Sequence, residues 1–538
     1  MNQFKEHHIY VLILITAFFL FLRLGSWGVT ETSEARYAEI SWEMLLTKDP
    51  IHPSLLGIRH FHKPPLTYMV TALAFEIWGV TPFAARFFLQ ISLLVQIVLV
   101  YRIGKILFNS SHQALLAAVI YSSLPAVIVS TRGLTTDSFL ASFILGSVYC
   151  WFKFSKHHKL WYLYGFYGLL ALGFLTKGPL VLLIPLIVVF TSAKTKAPFK
   201  HHLAGISLLL IVGSSWYVKL ALEDPQFWRY FVLDHTLQRY GNPQLFNRTQ
   251  PVWYYLVLVP MTSFPWFPMV IHLFFKKFKG LNRSELGTLL GCWIFIPLLF
   301  FSFSASKLFL YVLPVYAGIA LAASNLLSTI GHGDLRFWDS ALIAYQLVIS
   351  LCLLLGPLIT GVFEISWLQL LLLVLMGTSL LVVNLLLRNY LATKLLTSSL
   401  VFTLWLIVIS SFIFSQNPHF INSTEPLTQY MERHDLQNSQ VMVYNRRLPS
   451  LAFNLQKPIL SIADGHHSLD REVQFERNDS WKSYLVNIQH VNGDSVLAHW
   501  VTDSTVLIFK RSLPVHRQWI QNSFEYKSQL GPWTIMHH

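Results

Sequence analysis

Apolar residues fall in long runs over the first three quarters of the chain. One run follows the opening MNQFKEHHIY and continues to about Phe21. A long polar stretch, about Arg23 to Pro65, comes next, and apolar runs then recur to about Phe414. A helix crosses the hydrocarbon with about 20 apolar residues, so each run reads as a span. The pattern predicts thirteen, centred near residues 15, 95, 122, 145, 168, 186, 212, 264, 295, 318, 348, 376 and 405. The first is expected to be a retained helix, because no small-residue cleavage motif follows it.

Charge placement fixes a sidedness. If the N-terminus is cytoplasmic, the loops after even-numbered spans should be basic. They carry Arg102 with Lys105, then KFSKHHK (Lys153–Lys159), KTKAPFK (Lys194–Lys200), KKFKGLNR (Lys276–Arg283), Arg336 and RNYLATK (Arg388–Lys394). An odd number of spans puts the tail on the outer face.

The pattern changes after residue 415. Short β-like runs at Val441–Tyr444, Ile459–Ile462, Tyr484–Ile488 and Thr505–Phe509 follow a helix-like segment around Glu425–Leu436. The expected organisation is a membrane domain over 1–415, its first outer loop at about 23–65, and a small outer α/β domain over 416–538.

Composition supports this division. Of 538 residues, 54% are hydrophobic and 12% charged, where soluble domains carry about 25% charged residues. A disordered chain and a water-soluble enzyme are both disfavoured. The net charge of +14 resides largely in the short loops, which suits membrane topology and not a nucleic-acid surface. Cys150, Cys292 and Cys352 lie in apolar runs with no paired spacing.

Candidate chemistry gathers in the outer loops. Tyr37, Ile40 and Met44 recur at helical spacing and predict an amphipathic helix from about Ser33 to Leu46, lying along the membrane surface. Glu31 and Glu34 stand at its start, either as reacting carboxylates or as acids complementing the helix dipole. His60 and His62 alternate as on an extended strand, a spacing open to a metal site or to ordinary surface histidines. Lys63 precedes two prolines, as a lipid-phosphate ligand or a snorkelling cation. STRGLTTD brings Arg132 and Asp137, TKGP brings Lys177, SASK brings Lys307 with Tyr311 one turn on, and the loop from about Leu222 to Trp253 brings Asp234, His235, Gln238, Arg239 and Tyr240. Ionisable groups at membrane depth are costly and mark function. Several on one face make a cationic, acid-containing cavity suited to a phosphate-linked substrate.

SEARYAEISWEML, HKPPL, LTKGP, DHTLQRY and SKLFLYVLP, in this order, resemble the bacterial integral-membrane glycosyltransferases of the C-type (GT-C) superfamily. The likeness is to the lipid A 4-amino-4-deoxy-L-arabinose transferases and, more distantly, to the protein O-mannosyltransferases. It implies a polytopic α-helical GT-C fold of about 13 transmembrane helices, with periplasmic surface helices in the first loop and a small C-terminal α/β domain. The sugar donor would be a polyprenyl phosphate and the acceptor a lipid A-like lipid or another cell-envelope molecule. No nucleotide cofactor and no nucleic acid would be involved. The protein would be a monomer among membrane lipids in the bacterial inner membrane, with its tail periplasmic.

Residue by residue, the resemblance assigns Glu31, Glu34 and Asp137 as catalytic carboxylates. It assigns Arg36, Tyr37, Lys63, Lys177, Arg239, Tyr240, Lys307 and Tyr311 to substrate binding, and Arg132 joins them by its place at the mouth of the third and fourth spans. His62 and His235 would hold a divalent metal, zinc or another. Two departures stand out: Ser33 replaces the usual Asp, leaving Glu31 as the substitute, and His62 replaces the usual Glu. Two rival readings are a flippase of lipid-linked sugars and a non-catalytic assembly protein. The first predicts ionisable residues at mid-membrane and repeated halves, and the sequence carries neither. The second does not account for Glu34, Lys63, Asp137, Lys177 and His235 together.

Overall fold

Every one of the thirteen apolar runs becomes helical. The computed structural model describes residues 7–31, 33–192, 198–231, 250–276, 284–465, 469–489, 493–510 and 512–538. The runs up to the outer end of the fifth span give α1 (His8–Phe21), α4 (Pro82–Phe108), α5 (Ser111–Ser122) with α6 (Pro125–Val129), α7 (Asp137–His157) and α8 (Leu160–Lys177). Later runs give Leu183–Thr191, Phe199–Gly213 with Ser215–Glu223, Tyr254–Thr262 with Trp266–Lys276, Glu285–Phe303, Val315–Leu327, His332–Thr360, Trp367–Leu386 and Leu391–Gln416. The protein is a polytopic α-helical membrane protein.

Length alone gives fewer crossings than the thirteen expected. Among the described residues, seven helical segments are long and apolar enough, and nine if each of two bent pairs counts as one span. Two expected spans, near 168 and 186, merge into the single segment Leu160–Thr191. Others are short, such as α1 with 14 residues and Val315–Leu327 with 13. Proline accounts for one of the divisions: Pro125 starts α6 after a break at Leu124, since proline lacks the N–H that would continue the helix.

The chain divides into two compact units. The first comprises Met1–Leu24 and Leu89–Ile413. Its helices are clasped by buried polar side chains, as expected where hydrophobicity cannot drive helix association. Gln96 on α4, fully buried, donates to the Ser138 carbonyl at 2.8 Å and accepts from the Tyr121 hydroxyl at 2.6 Å. Ser92 and Ser138 share a further bond of 2.6 Å. These contacts join α4 to α5 and α7.

The second unit comprises Gly25–Phe88 and Phe414–His538. Its sheet has the order β5-β4-β3-β6-β8-β7. Strands β3 (Gln440–Tyr444), β4 (Leu460–Ala463), β5 (Leu485–Asn487) and β6 (Thr505–Lys510) are parallel, with Val441 opposite Val506. The hairpin β7 (Tyr526–Leu530) and β8 (Trp533–His537) is added antiparallel through β8. The four β-like runs thus became the four parallel strands. Side chains alternate across the sheet: Val441, Val443, Val506 and Ile508 enter one core, and Met442, Tyr444, Leu507 and Phe509 the other.

The first loop completes that first core. Its helix, α2 (Ser33–Thr47), forms where expected, but its apolar stripe does not lie free for a membrane surface. Ile40 and Met44 are buried with Leu427, Val441 and Leu451. A two-stranded hairpin, β1 (Ser54–Leu55) and β2 (Ile58–Arg59), turns through Leu56 and Gly57, both at positive φ. Gly57 is needed twice over, because a Cβ there would stand 2.5 Å from the Tyr484 ring. A 13-residue helix not expected from the pattern, α3 (Leu66–Trp78), follows.

Candidate active site

Two clusters contain most of the expected residues, one in each unit. In the first unit, Asp137 opens α7, where the amide dipoles favour a carboxylate. Lys177 closes α8, where a cation is favoured. The two form an ion pair with side chains 12% and 6% exposed. The sequence after Lys177 explains its placement. Gly178 takes φ 78° and ψ −154°, a region open essentially to glycine, and Pro179 starts a 3₁₀ turn. The helix therefore stops with the lysine at its end. The Lys177 ammonium also lies 4.5 Å from the centre of the Tyr311 ring, a cation–π contact.

Lys177 and Tyr311 line a crevice of about 20 Å³ together with Leu140, Ile144, Pro297 and Phe301, among others. The cluster thus sets a cation beside apolar side chains. Lys307 is buried nearby in sequence to Tyr311 and donates to the carbonyls of Ser304 at 2.7 Å and Gln250 at 2.9 Å. Burial lowers its pKa. It fixes the loop before Tyr311 more directly than it faces a substrate. Arg132, expected at the substrate, is bonded within the protein. Its guanidinium donates to the Leu20 carbonyl and the Ser411 hydroxyl, each at 2.8 Å. It ties the end of α1 to Leu391–Gln416, a structural task.

In the second unit Glu34 is held within the protein in a similar way. It is 2% exposed, and both of its oxygens are engaged. Oε1 accepts from Arg86 Nε at 2.7 Å, and Oε2 accepts from Arg86 Nη2 at 3.0 Å and from the Thr30 amide at 2.9 Å. Arg86 is fully buried and reaches the Trp27 and Gly28 carbonyls as well. A carboxylate so fully bonded positions the start of α2 and is poorly placed to accept a substrate proton. Sequence reasoning overlooked Arg86. Its signal was a lone cation inside the apolar run PFAARFFLQ, where a partner is obligatory.

Glu31 behaves differently. One oxygen accepts from the Ser450 amide at 2.7 Å, and the other is buried with no hydrogen-bond partner among the described residues. Desolvation raises its pKa, against the pull of Ser450 and Arg36. Glu39, also overlooked, is fully buried, and desolvation together with neighbouring Glu43 holds its carboxyl well above the usual range. Glu39 accepts from the Leu56 amide, and Glu43 from the Gly57 amide and the Ser54 hydroxyl. One turn apart on α2, these two acids hold the hairpin.

Arg36 and Tyr37 are half-buried on the same helix, and Tyr37 packs on Tyr68 with ring centres 5.6 Å apart. Lys63 is half-buried just before α3. The rings of His60 and His62 lie 3.9 Å apart. Among the described residues no three His, Cys, Asp or Glu side chains converge as metal ligands. Asp234, His235, Gln238, Arg239 and Tyr240 lie outside the described residues, as do His466 and His467 of the tail.

Comparison with known proteins places this geometry in context. Residues 62–218 match the family described as dolichyl-phosphate-mannose-protein mannosyltransferase. The undecaprenyl phosphate-α-4-amino-4-deoxy-L-arabinose arabinosyl transferase of Yersinia enterocolitica is 32% identical over 320 residues, 58% of this chain and 57% of that relative. The chain spans 53 to 65% of the length of the curated relatives it matches. The crystal structure of ArnT from Cupriavidus metallidurans bound to undecaprenyl phosphate superposes with a TM-score of 0.77 at 19% identity, covering 98% of both chains. The Archaeoglobus fulgidus oligosaccharyltransferase gives 0.51 at 11% identity, over 95% of this chain and 70% of that one. In sequence over more than half its length the chain resembles the bacterial undecaprenyl phosphate-aminoarabinose arabinosyl transferases, and over nearly all of its length it has the C-type integral-membrane glycosyltransferase fold.

Proposed function

We propose that this protein is a glycosyltransferase that moves a sugar from a polyprenyl-phosphate donor to a lipid A-like or other cell-envelope acceptor, at the periplasmic face of the bacterial inner membrane. The observation carrying this reading is the Asp137–Lys177 ion pair at the helix ends, with Tyr311 against the cation and an apolar crevice beside it. A polyprenyl phosphate would meet there a fixed cation for its phosphate and apolar side chains beside it. The relatives' names point to an amino-pentose on undecaprenyl phosphate as the donor.

In the proposed reaction the bond from the anomeric carbon to the phosphate oxygen breaks, and the acceptor oxygen bonds to that carbon. Negative charge grows on the departing phosphate, and Lys177 stabilises it from a preplaced position. Asp137 orients the acceptor and takes the proton of an acceptor hydroxyl. If the acceptor is itself a phosphate, it arrives as an anion and Asp137 only positions it. The expected metal at His62 and His235 enters no step. Its separate test is loss of turnover on chelation with recovery on adding zinc.

The deciding experiment supplies purified full-length protein with a panel of polyprenyl-phosphate sugars and envelope lipid, and follows glycosylated product by mass spectrometry. Product formation that is lost in Asp137→Asn, with donor binding kept, supports the reading. Donor binding without turnover across the panel overturns it in favour of a flippase or assembly protein.

A further inference from the structure

A second cavity, of about 350 Å³, lies at the other end of α4 and α7 from Asp137. Asp137 and Lys156 are nineteen residues apart on α7, about 28 Å of helix, which is close to the thickness of the hydrocarbon core. Arg102 and Lys105 of α4 and Lys153 and Lys156 of α7 line this cavity, and no carboxylate does among the described residues. Tyr149, Lys153 and Lys156 recur at one-turn intervals and so share a face of α7. Tyr149 organises the cations: the Arg102 guanidinium lies 3.5 Å from its hydroxyl, and the Lys153 ammonium 5.9 Å from its ring centre. Tyr101 lines the cavity through its ring at 8% exposure, while its hydroxyl is buried away from it.

Arg102 and Tyr149 also line a second hollow of about 270 Å³, otherwise bounded by Ile13, Ile91, Leu94 and Val98 among other apolar side chains. The cationic pocket and the apolar groove therefore adjoin at two shared residues. We infer that this is a binding site for one anionic phospholipid of the inner leaflet, its phosphate held by Arg102, Lys153 and Lys156 and an acyl chain laid along the groove beside Val98. A free phosphate would use the pocket but leave the groove unexplained. The leaflet assignment rests on the orientation in the proposed function; binding itself does not, so the two can fail separately.

The test uses full-length protein stripped of lipid in detergent and native mass spectrometry with three probes: phosphatidylglycerol, phosphatidylcholine with the same acyl chains, and inorganic phosphate. Phosphatidylglycerol should bind at least about tenfold more tightly than phosphatidylcholine. Each cation removed near a membrane surface weakens anionic-lipid binding about fivefold, so Arg102→Ala with Lys153→Ala should abolish the preference. Arg336→Ala, at an exposed basic position elsewhere, should leave it intact. Val98→Trp should weaken both lipids by blocking the groove. If the double variant does not fold, Lys153→Ala alone should still weaken phosphatidylglycerol about fivefold. Equal binding of the two lipids, an unchanged preference in the cavity variants, or displacement of the lipid by millimolar phosphate overturns the inference.

Discussion

Asp137 and Lys177 hold each other in a nearly dry setting, so each is both a chemical and a structural group. Removing one partner of a buried pair costs about 3–5 kcal/mol, which a kinetic test must separate from chemistry. Lys177→Met should lower turnover about 10²- to 10³-fold, the usual loss for one preplaced charge. Lys177→Met combined with Asp137→Asn should regain thermal stability over either single change without regaining turnover. Recovery of turnover in the double variant would deny the pair a chemical role. Glu39 makes a different prediction. Desolvation and neighbouring Glu43 raise its pKa in the folded state well above the ordinary 4.5. Between that value and the raised one, the folded state binds more protons than the unfolded. Stability should therefore fall as pH rises through this window, by at most about 1.4 kcal/mol per pH unit. Glu39→Gln should flatten this dependence, read as unfolding midpoints between pH 5 and 8.

At the scale of elements, helix ends and helix contacts decide where these residues stand. Gly178 lets α8 stop and the chain turn at Lys177. Gly178→Ala would force a side chain into a backbone region costing about 1–3 kcal/mol, and its Cβ would stand 3.2 Å from the Tyr217 hydroxyl. Turnover should fall by more than the stability loss explains, because the Lys177 ammonium would leave Asp137. The clasp at Gln96 should behave oppositely. Gln96→Leu strands the Tyr121 hydroxyl in the membrane domain and should destabilise it by about 1–2 kcal/mol, with KM for the donor unchanged. A detergent thermal-shift series with parallel donor kinetics would show both.

For the whole molecule, the two units interleave along the chain, since residues 25–88 fold with 414–538. Ile40, Met44, Leu55 and Tyr68 share one buried cluster with Leu427, Val441 and Val506. Cutting the chain after residue 413 should therefore expose the stripe of α2 and make residues 25–88 sensitive to protease. The tail produced alone should bind a hydrophobic dye through the bare face of β3 and β6. A stable, dye-silent tail would contradict the shared core.

Periodicity and length carried much of this architecture. The apolar runs became helices because a backbone in lipid must satisfy its own hydrogen bonds. The parallel strands and α2 followed their residue patterns for similarly local reasons. The pairing of Asp137 with Lys177 was half legible, as two ionisable residues near loop mouths forty positions apart. Local sequence did not reveal which charges serve structure. Arg132 and Glu34 looked equivalent to Lys177 and Asp137 until Leu20, Ser411 and Arg86 were found against them. The burial of Glu39 and the gathering of Arg102 with Lys153 and Lys156 were equally hidden. A residue's type determines that its charge must be answered; only the tertiary fold decides whether a carbonyl, a counter-ion or a ligand answers it, because those partners come from distant parts of the chain.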